Sequence, residues 1–224
     1  MSERRRTPLW RSGYWFVLTL IAASYALCAV QTGANPNPVA FLVQLAAVAI
    51  TLRVAQVEPR LRRVGWIVLA AAAAATVVAT ASGGEGHLLD VALSAASMVA
   101  YLAAPLAIVA HLARRDRIDG QAVLASIAAY IQVGMFFTFA YNLIALISPV
   151  ATFGDDQVDS LTVQLFFSFT TLTTTGYGNI VPVSAGVQSV AIAEAVTGQL
   201  FLVIAVARIV SGWTRPLAKH PGER

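Results

Sequence analysis

The stretch Thr173-Thr174-Thr175-Gly176-Tyr177-Gly178-Asn179-Ile180 decides how this chain is read. A cation crosses a membrane only where oxygens replace its water shell. Consecutive backbone carbonyls do this when the chain is held extended, and glycines at 176 and 178 permit the angles that aim them the same way. Thr174 adds a hydroxyl at one mouth, and Tyr177 points outward to brace the strand. A bare Gly-Tyr-Gly occurs often by chance, so its surroundings must decide.

Those surroundings are a membrane protein's. Of 224 residues, 58% are hydrophobic and 12% charged, too apolar for a soluble domain of this size. Six apolar segments are long enough to cross a bilayer, at about 20 residues each. They run 14–31, 39–57, 64–81, 91–113, 122–147 and 186–210. Loops 32–38 and 82–87 are short and rich in Gly, Pro and Asn, so adjacent spans form antiparallel hairpins.

All 15 basic residues fall on one side of this topology: before the first span, between spans two and three, between four and five, and after the sixth. Positive-inside bias puts both termini in the cytoplasm of a multi-pass plasma-membrane protein. The net charge of +4 is not a nucleic-acid signal, because every basic cluster abuts an apolar segment. Three arginines before an apolar run resemble a signal peptide, but cleavage near Ala29 would invert the charge pattern. Cys28 stands alone and reads as a small buried residue of the first span.

Residues 160–172 are apolar yet too short to cross, and they directly precede the Gly-Tyr-Gly. A helix that enters, stops and returns as an extended strand is a re-entrant loop, tolerated at membrane depth only when buried in protein or lining water. Asp159 or Ser160 caps it, and its C-terminal dipole favours a cation beyond its end.

Helix, re-entrant helix, filter strand and final helix together resemble the pore module of tetrameric potassium channels over 121–212. The resemblance implies an all-α membrane protein with six transmembrane helices, a pore helix and a selectivity-filter strand, assembled as a homotetramer. It divides the chain into a cytoplasmic N-terminus (1–13), a four-helix domain (14–113), a linker (114–120), a pore domain and a tail (213–224). The pore domain holds an outer helix (121–147), pore helix (160–172), filter (174–178) and inner helix (186–211). It implies K⁺ bound by carbonyls of Thr174, Thr175, Gly176 and Tyr177, with Gly178 turning the outer end. Phe166 and Phe167 fall where an aromatic cuff surrounds the tyrosine, Thr171 lies in the hydroxyl-rich approach, and Gly198 is where the family places its hinge glycine.

Departures from the pattern are Asn179, where aspartate is common, Thr175 for a frequent valine, and Thr170 where some relatives carry glutamate. Glu194, an acid inside an apolar helix, is a functional candidate because an unpaired charge there is costly; bonded to the pore helix it would brace the filter. Its plain alternative is helix packing, which is also the alternative for Gly198. Gln199 faces the cavity or pairs with a neighbour. Asp155, Asp156 and Asp159 concentrate cations or are simply solvated, and Pro105 kinks the fourth span.

The fourth span, 91–113, has no Arg or Lys, whereas a voltage sensor carries arginine at every third position there. Opening is therefore expected not to be steeply voltage-dependent. The 12 or so residues past the last span leave no room for a nucleotide- or calcium-binding domain. Expected partners are other copies of the chain, K⁺ and membrane lipids, the linker Arg114-Arg115-Asp116-Arg117 touching anionic headgroups. Alternatives are a non-conducting sensor or scaffold, a weakly selective cation channel, and an intramembrane enzyme, for which Tyr141, Asn142 and Glu194 lack metal or nucleophile spacing.

Overall fold

The computed structural model describes residues 13–30, 38–54, 87–113, 120–154 and 159–213, with single helical positions at 63, 66, 70 and 74. Six helices lie among the described residues: α1 Gly13–Ala29, α2 Pro38–Val54, α3 His87–Ala113, α4 Gly120–Ile147, α5 Leu161–Leu172 and α6 Ala185–Trp213. They match five of the six expected spans and the re-entrant helix to within a few residues. The expected third span, 64–81, lies outside the described residues apart from Trp66, Ala70 and Ala74, all helical.

Sequence explains several ends. Pro38 opens α2, where a missing N–H costs nothing. Ser160 caps α5: its hydroxyl accepts from Val163 N, so of the two cap candidates it is the serine that serves. The α3 helix runs on through Pro105. Among the described residues, three helices are long and apolar enough to cross a membrane: His87–Ala110, Gly120–Ile147 and Ala185–Val210. The α1 and α2 helices have 17 residues each, the lower limit of about 17 for a span.

One core joins α1, α2, α3, α4 and the base of α5, through Val17, Ile21, Val48, Tyr101, Ile108, Met135, Phe139 and Leu165. The buried Cys28 belongs to it, as expected. Several buried polar groups pair across helices, as burial in a medium without water favours, whereas the Gln164 side-chain amide has no hydrogen-bond partner. Ser24 and Tyr101 hydroxyls meet at 2.7 Å, Gln132 Nε2 donates to Thr51 Oγ1, and Asn142 Nδ2 donates to Ser94 Oγ. The Arg53 guanidinium lies 4.6 Å above the Trp66 ring, which keeps that charge on an aromatic face.

Helix α5 is held in the angle between α4 and α6, with α1 behind it. A second core of Phe137, Tyr141, Phe153, Phe167 and Val187 closes the end where the chain enters and leaves this loop. There an antiparallel bridge pairs Phe153 with Pro182, and Val183 N donates to Thr152 O.

Candidate functional site

The strand after α5 has an unusual backbone. Thr174, Gly176 and Gly178 have φ of 59°, 51° and 76°, while Thr175 and Tyr177 between them keep negative φ. A regular strand points successive carbonyls to opposite sides. Alternating left- and right-handed residues instead turn successive peptide planes so that carbonyls can share one side. Glycine adopts positive φ freely, but a β-branched threonine there is a true outlier costing about 1–3 kcal/mol. Such strain is kept where surrounding contacts over-determine the backbone, a mark of functional segments.

Those contacts begin at the C-terminus of α5. Thr170 O accepts from both Thr175 N (2.8 Å) and Gly176 N (3.1 Å), and Thr171 O accepts from Thr174 N. Thr173 donates its hydroxyl to Phe169 O at 2.7 Å and lies 2.9 Å from the Thr175 hydroxyl. The hydroxyl-rich run thus uses up last-turn carbonyls that a helix end would leave bare. Thr171 takes part through its backbone carbonyl.

Of the expected aromatic cuff, Phe166 stacks on Tyr177 at 5.7 Å with planes 16° apart. Phe167 turns the other way, packing its ring at 4.8 Å from Phe153 and 5.2 Å from Tyr141. One chain therefore contributes one ring to its own tyrosine and spends the other on anchoring the loop. Tyr177 remains 70% exposed, and residues 173–179 are open on one side.

Helices α4 and α6 together clamp the pore helix. Glu194, fully buried on α6, accepts from Tyr141 OH at 2.7 Å and from Ser168 Oγ at 2.5 Å. Ser168 is also within 2.8 Å of Gly134 O. The acid is thus bonded to the pore helix, and Tyr141, which alone offers no catalytic spacing, is its second ligand. One turn on, Gly198 lies against the end of α5: a Cβ there would meet Leu172 O at 2.2 Å. The same oxygen accepts from Tyr130 OH of α4 at 3.1 Å. Gly134 of α4 gives way to the Phe169 ring, which a Cβ would meet at 2.7 Å.

Close approach to α5 accounts for the glycine at 198, and α6 runs through it without a break. The Ser168, Tyr130 and Gly134 contributions were not read from sequence. Ser168 lies four residues from Gln164 and Leu172 on the face of α5 that is buried, the only pattern that could have singled it out.

A third set of contacts comes from α1. Tyr25 meets Phe169 edge-on at 5.3 Å, and Thr162 Oγ1 donates to Ala29 O at 3.2 Å. Asp155 and Asp156 lie outside the described residues, as does the linker 114–119. Asn179 is exposed beyond Gly178. Among the described residues no group of three or more His, Cys, Asp or Glu could hold a metal ion.

No curated protein and no solved structure matches the chain. Residues 123–214 match a family model described as an ion channel, and this stretch holds α4 almost entire, the pore helix, the strained strand and α6. The chain is a mostly helical protein with membrane-length apolar helices and a region similar to an ion channel domain.

Proposed function

We propose that the protein is a K⁺-selective channel, passing potassium passively through a filter built from residues 174–178 of four copies. The observation that carries this reading is the alternating backbone handedness at Thr174, Gly176 and Gly178 within a region similar to an ion channel domain. One strand supplies one wall of a pathway. Its open side, and the apolar residues Ile192, Val196, Leu200 and Val203 left bare along α6, are surfaces that symmetric neighbours would cover. Carbonyls of Thr174, Thr175, Gly176 and Tyr177, with the Thr174 hydroxyl, then form adjacent sites. Ions move in single file by mutual repulsion.

The surrounding residues serve rigidity. Glu194 ties α6 to the pore helix and to Tyr141, so a carbonyl ring sized for one ion is not free to relax around another. In this reading the protein sits in the plasma membrane with both termini in the cytoplasm, where its basic residues gather.

Ion flux from liposomes holding the purified protein tests this. K⁺ passes far more readily than Na⁺, Ba²⁺ blocks, and Gly178→Ala abolishes flux because φ of 76° does not suit a side chain. Vesicles sealed to potassium would refute conduction. Equal passage of Na⁺ would leave a weakly selective cation channel, and an assembly of other than four chains would refute the filter geometry.

A further inference from the structure

A valine would match the shape of Thr175 on the filter strand, so the threonine's hydroxyl is the part that needs a reason. That hydroxyl lies 2.9 Å from the Thr173 hydroxyl, and Thr173 donates to Phe169 O at 2.7 Å. Each hydroxyl has one hydrogen to give, and a carbonyl oxygen only accepts. Thr173 therefore spends its hydrogen on Phe169 O, and Thr175 is the donor between the two hydroxyls. A directed relay results, Thr175 Oγ1 to Thr173 Oγ1 to Phe169 O, leading from the strand back to the last turn of α5. Thr175 N and Gly176 N reach the same turn through Thr170 O, at 2.8 and 3.1 Å. Beyond Thr175 the strand is held differently: Gly176 and Gly178 have no side chain, and Tyr177 meets α5 by stacking on Phe166.

We propose that Thr175 is a positioning residue that sets ion specificity: its hydroxyl, through Thr173, fixes the direction of the carbonyl that Thr175 gives to the ion path. The proposal rests on the K⁺-channel reading above. The peptide between residues 175 and 176 carries the Thr175 carbonyl on one edge and the Gly176 N–H on the opposite edge. The N–H is anchored on Thr170 O of α5, so the carbonyl points away from α5. Rotation of this peptide would take the carbonyl out of the path, and it requires the backbone on either side to yield. Glycine at 176 resists little, because many backbone conformations suit it. On the other side the relay holds the Thr175 Cα through its Cβ. The hydroxyl thus supplies the stiffness that the glycine cannot. A ring of carbonyls free to turn can close on Na⁺ as well as on K⁺.

The ratio of K⁺ to Na⁺ flux from liposomes holding the full-length protein tests this. Thr175→Val should lower the ratio about fivefold, the equilibrium factor that one hydrogen bond is worth. The thermal midpoint should move little and the number of chains per assembly should not change. Thr175→Ser keeps the hydroxyl and should recover most of the ratio. Thr173→Val cuts the relay from its other end, and so tests it whether or not Thr175→Val assembles. It should lower the ratio as well, and Thr173→Val/Thr175→Val should be no worse than the more damaging single change. A ratio that survives Thr175→Val or Thr173→Val would overturn the proposal. So would losses that add in the double variant, or a Thr175→Ser protein as impaired as Thr175→Val. Each of these results leaves K⁺ conduction by the unchanged protein standing. Unchanged protein that leaves vesicles sealed to K⁺, or passes both ions equally, would instead refute the K⁺-selective reading and this proposal with it.

Discussion

Replacing Gly198 with alanine places a methyl group 2.2 Å from the oxygen of Leu172 and 3.0 Å from its carbonyl carbon. Carbon and carbonyl oxygen settle at about 3.3–3.6 Å, so roughly 1.1–1.4 Å must be found by moving backbone. No side chain can rotate away, because the obstacle is the last turn of the pore helix. That turn is already fixed by Tyr130 donating to the same oxygen, and by Thr175 N and Gly176 N donating to Thr170 O. Overpacking of this kind costs about 1–3 kcal/mol. Here the displacement passes straight into Thr174 and Thr175. Gly198→Ala should therefore lower K⁺ flux, weaken discrimination against Na⁺ and lower the thermal midpoint of the assembly. Gly186→Ala, where nothing lies within 4 Å, should change none of these. A hinge role gives a different pattern: altered open probability with selectivity intact. A Gly198→Ala channel with unchanged flux, selectivity and midpoint would refute the close-packing account.

Gly134→Ala drives a methyl into the Phe169 ring, which Tyr25 holds from the other side. The expected loss of about 1–3 kcal/mol should be largely recovered in Gly134→Ala/Phe169→Leu, measured by thermal denaturation in detergent. Glu194→Ala strands the Tyr141 hydroxyl, leaves the Ser168 hydroxyl only Gly134 O as acceptor and opens a cavity, so it should cost about 1–3 kcal/mol and reduce flux. Glu194→Gln preserves shape and one acceptor and should be milder; a Gln channel with unaltered selectivity and open probability would remove the bracing role. Helix α3 contains no Arg or Lys, so it cannot draw the roughly 2.3 kcal/mol per charge per 100 mV that drives voltage sensing. Planar-bilayer recordings should show a shallow conductance–voltage curve, and a steep one would contradict this.

Local patterns carried the reading a long way. Apolar runs located α1, α2, α3, α4 and α6 because a span must satisfy its own backbone bonds, which fixes its length. The shortness of 160–172 separated α5 from the spans, and the two glycines marked where positive φ would occur. The positive φ of Thr174 was not legible, since no propensity favours it. It follows from Thr170 O gathering two N–H groups from the strand, a tertiary consequence of where α5 stops. Glu194 was conspicuous as an acid in an apolar helix. Its partner Ser168 was hidden, because serine is common in membrane helices and only the crossing of α5 with α6 brings the pair together. Gly198 was visible as a glycine, but its reason lay 26 residues away at Leu172.

The place of α1 sets a further expectation. Here α1 lies directly behind the pore helix, through Tyr25 on Phe169 and through Thr162 donating to Ala29 O. The outer helix α4 also sends Gln132 and Asn142 toward Thr51 of α2 and Ser94 of α3. Removing residues 1–113 would leave two amide side chains facing lipid without those partners, at about 1–3 kcal/mol for each unpaired group. It would also bare the buried side chains Leu161 and Leu165 of α5. Exposure of those leucines to hydrocarbon costs little, since lipid tails are equally apolar. The loss falls on the amides and on the Phe169 ring, which would keep its Gly134 notch but lose its outer wall. A 114–224 fragment is therefore expected to insert but to form an unstable assembly with impaired flux. Changing Gln132 and Asn142 together to leucine should recover stability more than flux, since Tyr25 would still be missing. A fragment that assembles and conducts like the whole chain would show that the first helices support nothing in the pore.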